Sequence, residues 1–233
     1  KNNILKIFLF FLFLSMTSLV AQELEINSSI VKNDLANKIT IFEGNVNAKD
    51  EKNNQFFSEE ATYDEKKDFF ETTGQTKVLT TNGYEISSAN IQFDNKKQII
   101  TSKFVTKIVD KDGNIIDLEN FNYSTSTNIF FSKGNIKITD INNNIYKFSE
   151  IYIDEKKQTI IGSDIKAFLN PKSLSANDKN NPRFFSNTMH LSKKINTFEK
   201  GIFTYCKDRG EGNCPPWTLQ SNKIKHDLTK KTI

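Results

Sequence analysis

The sequence predicts an all-β protein, an open jelly-roll-like sandwich of stacked antiparallel hairpins with a thirty-residue repeat. Three observations support this fold class. Similar segments recur at a constant interval, apolar residues alternate with polar ones inside each segment, and Asn-Gly or Asp-Gly pairs separate the segments. Alternation with a period of two is typical of strands with one buried face, and these dipeptides favour tight hairpin turns.

The repeat is defined by an anchor position, usually Asp, at the start of a turn. Three segments align without gaps: 61–67 (ATYDEKK), 91–97 (IQFDNKK) and 151–157 (IYIDEKK). The full series of anchors is Asp34, Asp64, Asp94, Ser124 and Asp154, with weaker copies at Ser192 and Asp227. Because the interval is constant, each repeat is predicted to be one hairpin that stacks on the next.

Three glycines predict how the hairpins are shaped. Gly44, Gly74 and Gly134 each follow an anchor by ten residues and lie inside a predicted strand. A glycine in a strand usually marks a bulge or a sharp bend. If every strand bends there, the meander folds into two facing sheets with an apolar lining between them. An ordinary β-sandwich or a parallel β-helix with a sealed core is the alternative.

Apolar columns at fixed offsets from the anchors supply the candidate lining of a groove. In the central repeats, where the lining continues on both sides, the candidates are Phe93, Ile99, Ile108, Tyr123, Ile129 and Ile138. A step of one residue turns a side chain to the opposite face of a strand. Lys107 and Lys137 are therefore predicted to point away from the groove.

The two ends of the chain differ from the repeats. Residues 1–21 combine a basic start, the apolar run IFLFFLFL and a small-residue stretch. This pattern predicts a secretory signal peptide cut after Ala21, with an apolar run too short to span a bilayer. Residues 22–205 are predicted to form the β domain, in which the proline-containing stretch 170–185 is an inserted loop. Residues 206–233 form a Cys-containing connector.

Composition excludes several classes of protein. Without the leader, 30 basic residues face 28 acidic ones, so no strongly charged partner such as nucleic acid is implied. The aromatic content of 12%, with 20 Phe, excludes a disordered acidic tail. Two Cys are too few to hold the whole fold together, so β-branched and aromatic residues must supply a core.

Catalysis is not expected from this sequence. It has two His, His190 and His226, and lacks the nucleophile-elbow, P-loop and zinc-protease motifs. His226 precedes Asp227, but no elbow presents a Ser beside the pair, so a solvated His at a strand end is the better account. Cys206, Cys214 and His226 lack a fourth metal ligand. No catalytic residue, metal or cofactor is predicted.

The two Cys are predicted to be oxidised. In an exported protein, two Cys eight positions apart usually form disulfides. Cys206 and Cys214 could bond to each other and close a small Gly-containing loop, or each could bond to a different partner.

Several of these features together resemble a known family. The signal peptide, the hairpin repeats, the block Cys214-Pro215-Pro216-Trp217 and the following 224–227 (IKHD) resemble the start of the LptD family. These are outer-membrane lipopolysaccharide-assembly proteins, also called organic solvent tolerance proteins. The repeats over residues 25–170 alone fit the wider OstA-like group, which includes LptA and LptC. The family's β-barrel is not part of the 233 residues.

The resemblance implies a periplasmic lipid-transfer module at the outer membrane. Such a module accepts lipopolysaccharide in an apolar groove and passes it to an outer-membrane translocon. The implied partners are lipopolysaccharide, an LptA-like bridge protein bound by strand addition, a barrel portion of the same protein and its lipoprotein plug LptE. Two alternatives remain open: a soluble LptA-like bridge protein, and a secreted β-solenoid adhesin or carbohydrate-binding protein with a sealed core.

Overall fold

A computed structural model describes residues 24–174, 180–192, 194–206 and 217–233. The regular structure in these ranges is strand, apart from one 3-10 turn at Pro171–Leu174, which confirms the all-β class. The predicted signal peptide lies outside the described residues. None of the described residues forms a helix that is long and apolar enough to cross a membrane.

Eighteen strands make one antiparallel network. In chain order they are β1 (Glu25–Asn27), β2 (Ile30–Asp34), β3 (Ile39–Lys49), β4 (Gln55–Asp64), β5 (Phe69–Thr73), β6 (Gln75–Leu79), β7 (Glu85–Ala89), β8 (Gln92–Asp94), β9 (Ile99–Ser102), β10 (Thr106–Val109), β11 (Ile115–Leu118), β12 (Phe121–Ser124), β13 (Ile129–Thr139), β14 (Ile145–Asp154), β15 (Thr159–Phe168), β16 (Asn181–Leu191), β17 (Ile195–Cys206) and β18 (Leu219–Asp227).

The pairings divide this network into two facing sheets. Sheet A contains the series β4–β6–β7–β10–β11–β13. Sheet B contains the series β4–β5–β8–β9–β12–β13. The long strands β3, β4 and β13–β18 run through both sheets, so the sheets are joined along one side. The turns of both sheets lie on the other side, which we call the mouth.

The bends lie where the glycines predict them. Gly44, Gly74 and Gly134 have φ angles of +74°, +78° and +116°, a backbone region that residues with a Cβ rarely adopt. The register of β3 against β4 shifts beside Gly44, and that of β13 against β14 shifts beside Gly134. Gly74 separates β5 in sheet B from β6 in sheet A. Asp164 occupies the same place in a later repeat, with a φ of +52°.

The anchor residues build the turns of sheet B. Asp64 Oδ1 accepts a hydrogen bond from the backbone N–H of Lys67 at 3.0 Å, and the Lys67 ammonium lies 2.7 Å from Asp64 Oδ2. Asp94 and Asp154 make the same contacts with the lysine three residues on. The recurring Asp-x-x-Lys pattern is therefore a turn signal, because the carboxylate satisfies a turn N–H and pairs with a nearby cation.

The core lies between the inner faces of the two sheets. In the N-terminal half of the sandwich, which we call the first half, the core is a closed aromatic cluster. The centre of the Phe56 ring lies 5.7 Å from that of Phe70 and 5.2 Å from that of Phe93. All three side chains are fully buried. In the second half, Phe184 stacks on Phe198 at 4.2 Å.

The C-terminal part differs from the sequence-based boundaries. Strand β16 begins at Asn181, so the irregular stretch after Leu169 is shorter than the predicted loop 170–185. The predicted connector 206–233 contains β18, which pairs with β17 through both sheets. The β structure therefore continues to Asp227 and does not end at residue 205.

Substitution of Gly74 tests the bend. An added Cβ would meet no atom within 4 Å, so Gly74→Ala changes only the backbone strain at φ +78°. We expect a loss of about 1 kcal/mol in the free energy of unfolding, measured by urea denaturation. Lys200→Gly is the control, because Lys200 is exposed with a φ of +50° and glycine relieves strain there. Equal stability of Gly74→Ala and the parent chain would contradict a strained bend.

A second prediction concerns acid. The hydrogen bonds and ion pair from Lys67 hold the pKa of the Asp64 carboxyl below its ordinary value of 3.8. A lowered pKa means that this group stabilises the fold above the ordinary value, and that the contribution disappears as pH falls through the folded-state pKa. Asp64→Asn should therefore lower the urea midpoint at pH 7 and match the parent chain in strong acid. Glu65→Gln is the control, and a difference that persists in acid would overturn the prediction.

Candidate functional site

Two sets of hydrogen bonds cross the mouth in the first half of the sandwich. In the first clasp, Lys52 Nζ donates to Thr125 Oγ1 at 3.3 Å. In the second clasp, Asn82 Nδ2 donates to Glu155 Oε2 at 2.7 Å and to Tyr123 Oη at 3.1 Å. Each clasp joins a turn of sheet A to a turn of sheet B 73 residues later. Behind the clasps, the interior side chains Phe56, Phe70 and Phe93 are fully buried, so no cavity opens there to solvent.

Beyond the second clasp the mouth opens into a cavity of about 1070 Å³. This volume lies at the upper end of the range for small-molecule sites. Its apolar floor comes from both sheets: Ile138, Tyr146, Ile153, Ile160 and Leu191. Asn82 and Glu155 also line the cavity, so the second clasp forms its end wall.

The rim of the cavity is polar and carries charges of both signs, with the carboxylates of Asp110, Asp112 and Asp140 beside four lysines. The carboxylates of Asp110 and Asp140 are held within their own turns, where each accepts the backbone N–H of the Asn four residues on at 2.8 Å. Four exposed lysines line the rim: Lys111, Lys156, Lys172 and Lys231. Within the described residues these four ammonium groups form no ion pair. They are therefore available to an anionic group of a ligand.

Burial shifts the pKa of groups at the floor and the end wall. Desolvation raises the pKa of the Glu155 carboxyl above its ordinary value. Burial also raises the pKa of the Tyr123 and Tyr146 hydroxyls, and nearby Glu155 and Asp140 respectively add to this effect. The shift moves both hydroxyls further from ionisation, so the two tyrosines add no charge to the site.

Four of the six predicted lining residues face the interior. Phe93 and Ile108 are buried, 0% and 1% exposed, and do not line the cavity. Tyr123 takes part in the second clasp, and Ile138 is the one of the four that lines the cavity. Lys107 and Lys137 are exposed on the opposite face, as predicted. Whether the interior residues contact lipid remains a prediction.

Ile99 and Ile129 lie on the outer face of sheet B, which corrects the prediction for these two residues. In the hairpin of β8 and β9, Asp94 pairs with Ile99 and Phe93 pairs with Ile100. Because directly opposed residues share a face, Ile99 lies on the side of the solvent-facing anchor. Ile100 and Phe130 occupy the interior instead.

Sequence analysis missed most of the floor. Ile153 belongs to the same repeat column as Phe93 and Tyr123, so extending the column by one repeat would have found it. Leu191 directly precedes the weaker anchor Ser192, so the same column also reaches it. Tyr146 carries no comparable signal, because nothing local shows where the mouth opens.

The cysteine region is described in part. Cys206 ends β17 and is 7% exposed, with its Sγ 3.4 Å from Arg183 Nη2. It forms no disulfide with any described residue, and Cys214 lies outside the described residues. Trp217 packs edge-on against Phe203 at 6.0 Å. In the part of the chain that the structure describes, no group of three or more His, Cys, Asp or Glu could hold a metal ion.

Comparison with known proteins gives a distant likeness in fold. No family model and no curated protein matches this chain. Among solved structures, it matches LptH of Pseudomonas aeruginosa, the LptA-homologous periplasmic component of the conserved lipopolysaccharide transport device. The two are 13% identical, and the match covers 48% of this chain and 82% of that chain with a TM-score of 0.43. A likeness this distant assigns no function, which has to be inferred from the cavity.

The oxidation of Cys206 and Cys214 stays a prediction that can be measured directly. Because Cys206 is buried, even a free thiol at this position would react slowly in the folded protein. Labelling of the folded protein therefore does not distinguish a thiol from a disulfide. The exported protein should therefore be labelled in denaturant, with and without prior reduction, and weighed by mass spectrometry. We expect labelling of both Cys only after reduction. Labelling of both without reductant would contradict the prediction.

Proposed function

We propose that this protein is a periplasmic lipid-transfer module that holds the acyl chains of lipopolysaccharide in the cavity. The open, apolar-floored cavity with its lysine rim carries this proposal. Each CH₂ group removed from water contributes about 0.8 kcal/mol, so an apolar floor holds acyl chains without any chemical step. The rim lysines are placed to meet the phosphate and carboxylate groups of the sugar portion.

The edges of the sheets support a place in a chain of similar modules. Among the described residues, β1 and β2 pair only with β3, and β18 pairs with β17 and, at Asp227 alone, with Thr232. Apolar side chains are exposed on these edge strands, including Ile30, Val31 and Leu219. Exposed edges of this kind accept strands from a partner. We infer that an LptA-like bridge protein adds to one edge, and that lipid passes from the other towards an outer-membrane translocon.

The same features fit a free-standing LptA-like bridge protein. The segment from Cys206 to Trp217 favours an LptD-type module, since each of its two Cys can form a disulfide with a Cys in a barrel portion of the same protein. LptE would then belong to the same translocon. A sealed-core adhesin fits the closed first half of the sandwich but leaves the cavity without a role.

Photo-crosslinking tests the lipid-transfer proposal. A crosslinking residue in place of Ile138 or Leu191, at the floor, should capture lipopolysaccharide. The neighbouring positions Lys137 and His190 are matched controls, because they lie on the outer face and should capture none. Val78 should also give no crosslink in the parent chain, because it is fully buried behind the second clasp.

Deacylated lipopolysaccharide separates the proposal from a carbohydrate-binding function. It carries the same sugars without acyl chains, so it should not compete with crosslinking at Ile138. Equal capture from the floor and the outer face, or full competition by the deacylated form, would contradict acyl-chain binding.

A further inference from the structure

From turn 50–54 to Asn170, the turns of sheet A form a hydrogen-bonded rim with one interruption. Asn54 Oδ1 accepts the N–H of Thr81, which joins turn 50–54 to turn 80–84. Asn114 Oδ1 accepts the N–H of Ile141, and Asn144 Oδ1 accepts that of Asn170, which joins the later turns in the same way. Turn 80–84 ends in Tyr84 where the others end in Asn. Among the described residues, no hydrogen bond joins it to turn 110–114.

The second clasp crosses the mouth beside this interruption. Asn82 belongs to turn 80–84, the last turn before the gap, and it reaches across to Glu155 and Tyr123. The next turn of sheet A carries Asp112 at the equivalent position, and its described residues make no hydrogen bond across the mouth. The series of clasps therefore stops where the rim is interrupted, and the cavity begins there.

Closed apolar interior continues behind the second clasp. Val78 and Ile86 lie on the two strands that turn 80–84 joins, and they are 0% and 2% exposed. They pair directly across β6 and β7, and Val78 pairs on its other side with the buried Phe56. The cavity thus ends against the polar groups of the clasp, with further apolar surface beyond them.

We propose that Asn82, Tyr123 and Glu155 form a gate, which opens to extend the cavity into the first half of the sandwich. The identity of the occupant rests on the lipid-transfer function proposed above, whereas the gate itself rests on the geometry of the mouth. Hydrogen bonds between turn side chains can break without breaking strand pairing. The interrupted rim lets turn 80–84 move without pulling turn 110–114 along.

The gate can be tested without any lipid. Val78→Cys is made in the full chain with Cys206 and Cys214 changed to Ser, and labelling by a small maleimide is followed. Asn82→Ala should raise the labelling rate of Cys at this position at least tenfold. Asp112→Ala is the matched control, one repeat later and without a bond across the mouth, and should leave the rate unchanged. Glu155→Gln keeps an acceptor for Asn82 and should also leave it unchanged.

Crosslinking from position 78 then tests what passes the gate. Lipopolysaccharide should be captured there in the Asn82→Ala chain but not in the parent chain. Where Asn82→Ala fails to melt cooperatively, Glu155→Ala combined with Tyr123→Phe removes both acceptors of Asn82 and carries the same expectation. Unchanged labelling at position 78, with capture at Ile138 intact, overturns the gate and leaves the lipid-transfer proposal standing. Faster labelling with no capture at Ile138 supports the gate and overturns lipid transfer.

Discussion

The architecture depends on one backbone constraint. Each stretch of chain between a turn of sheet B and a turn of sheet A has to bend from one sheet into the other halfway along its length. Gly44, Gly74 and Gly134 meet it with positive φ angles. Strand pairing continues on both sides of the bends in β3 and β13. The joined side of the sandwich is therefore closed by hydrogen bonds, and only the side with the turns can open.

The facing turns decide how far that side opens. Each clasp joins a turn of sheet A to a turn of sheet B that comes 73 residues later in the sequence. The turns that face each other at the mouth are therefore separated by the same large sequence distance. The regularity ends in the C-terminal half, where the interval from Asp154 to Ser192 exceeds the repeat by eight residues. The cavity with its apolar floor lies in this half, lined by turns of both sheets.

The closed and open halves have different physical roles. The aromatic cluster around Phe56 supplies core burial that does not depend on a ligand. This stability lets the other half keep Ile138, Ile153 and Ile160 under an open mouth. A site whose floor lies on paired strands and whose rim consists of turn side chains suits a ligand that enters and leaves without a chemical step.

Local features of the sequence determined the strands, the thirty-residue repeat, the turns and the bends, because each depends on residues close together in the chain. The turn of Asp64 with Lys67 and the positive φ of Gly74 are examples. Tertiary structure alone decided that Ile100 rather than Ile99 faces inward, since both are apolar and only cross-strand register separates them. It also decided the meeting of Asn82 with Glu155 and the place of the cavity, because these depend on how two sheets cross in space.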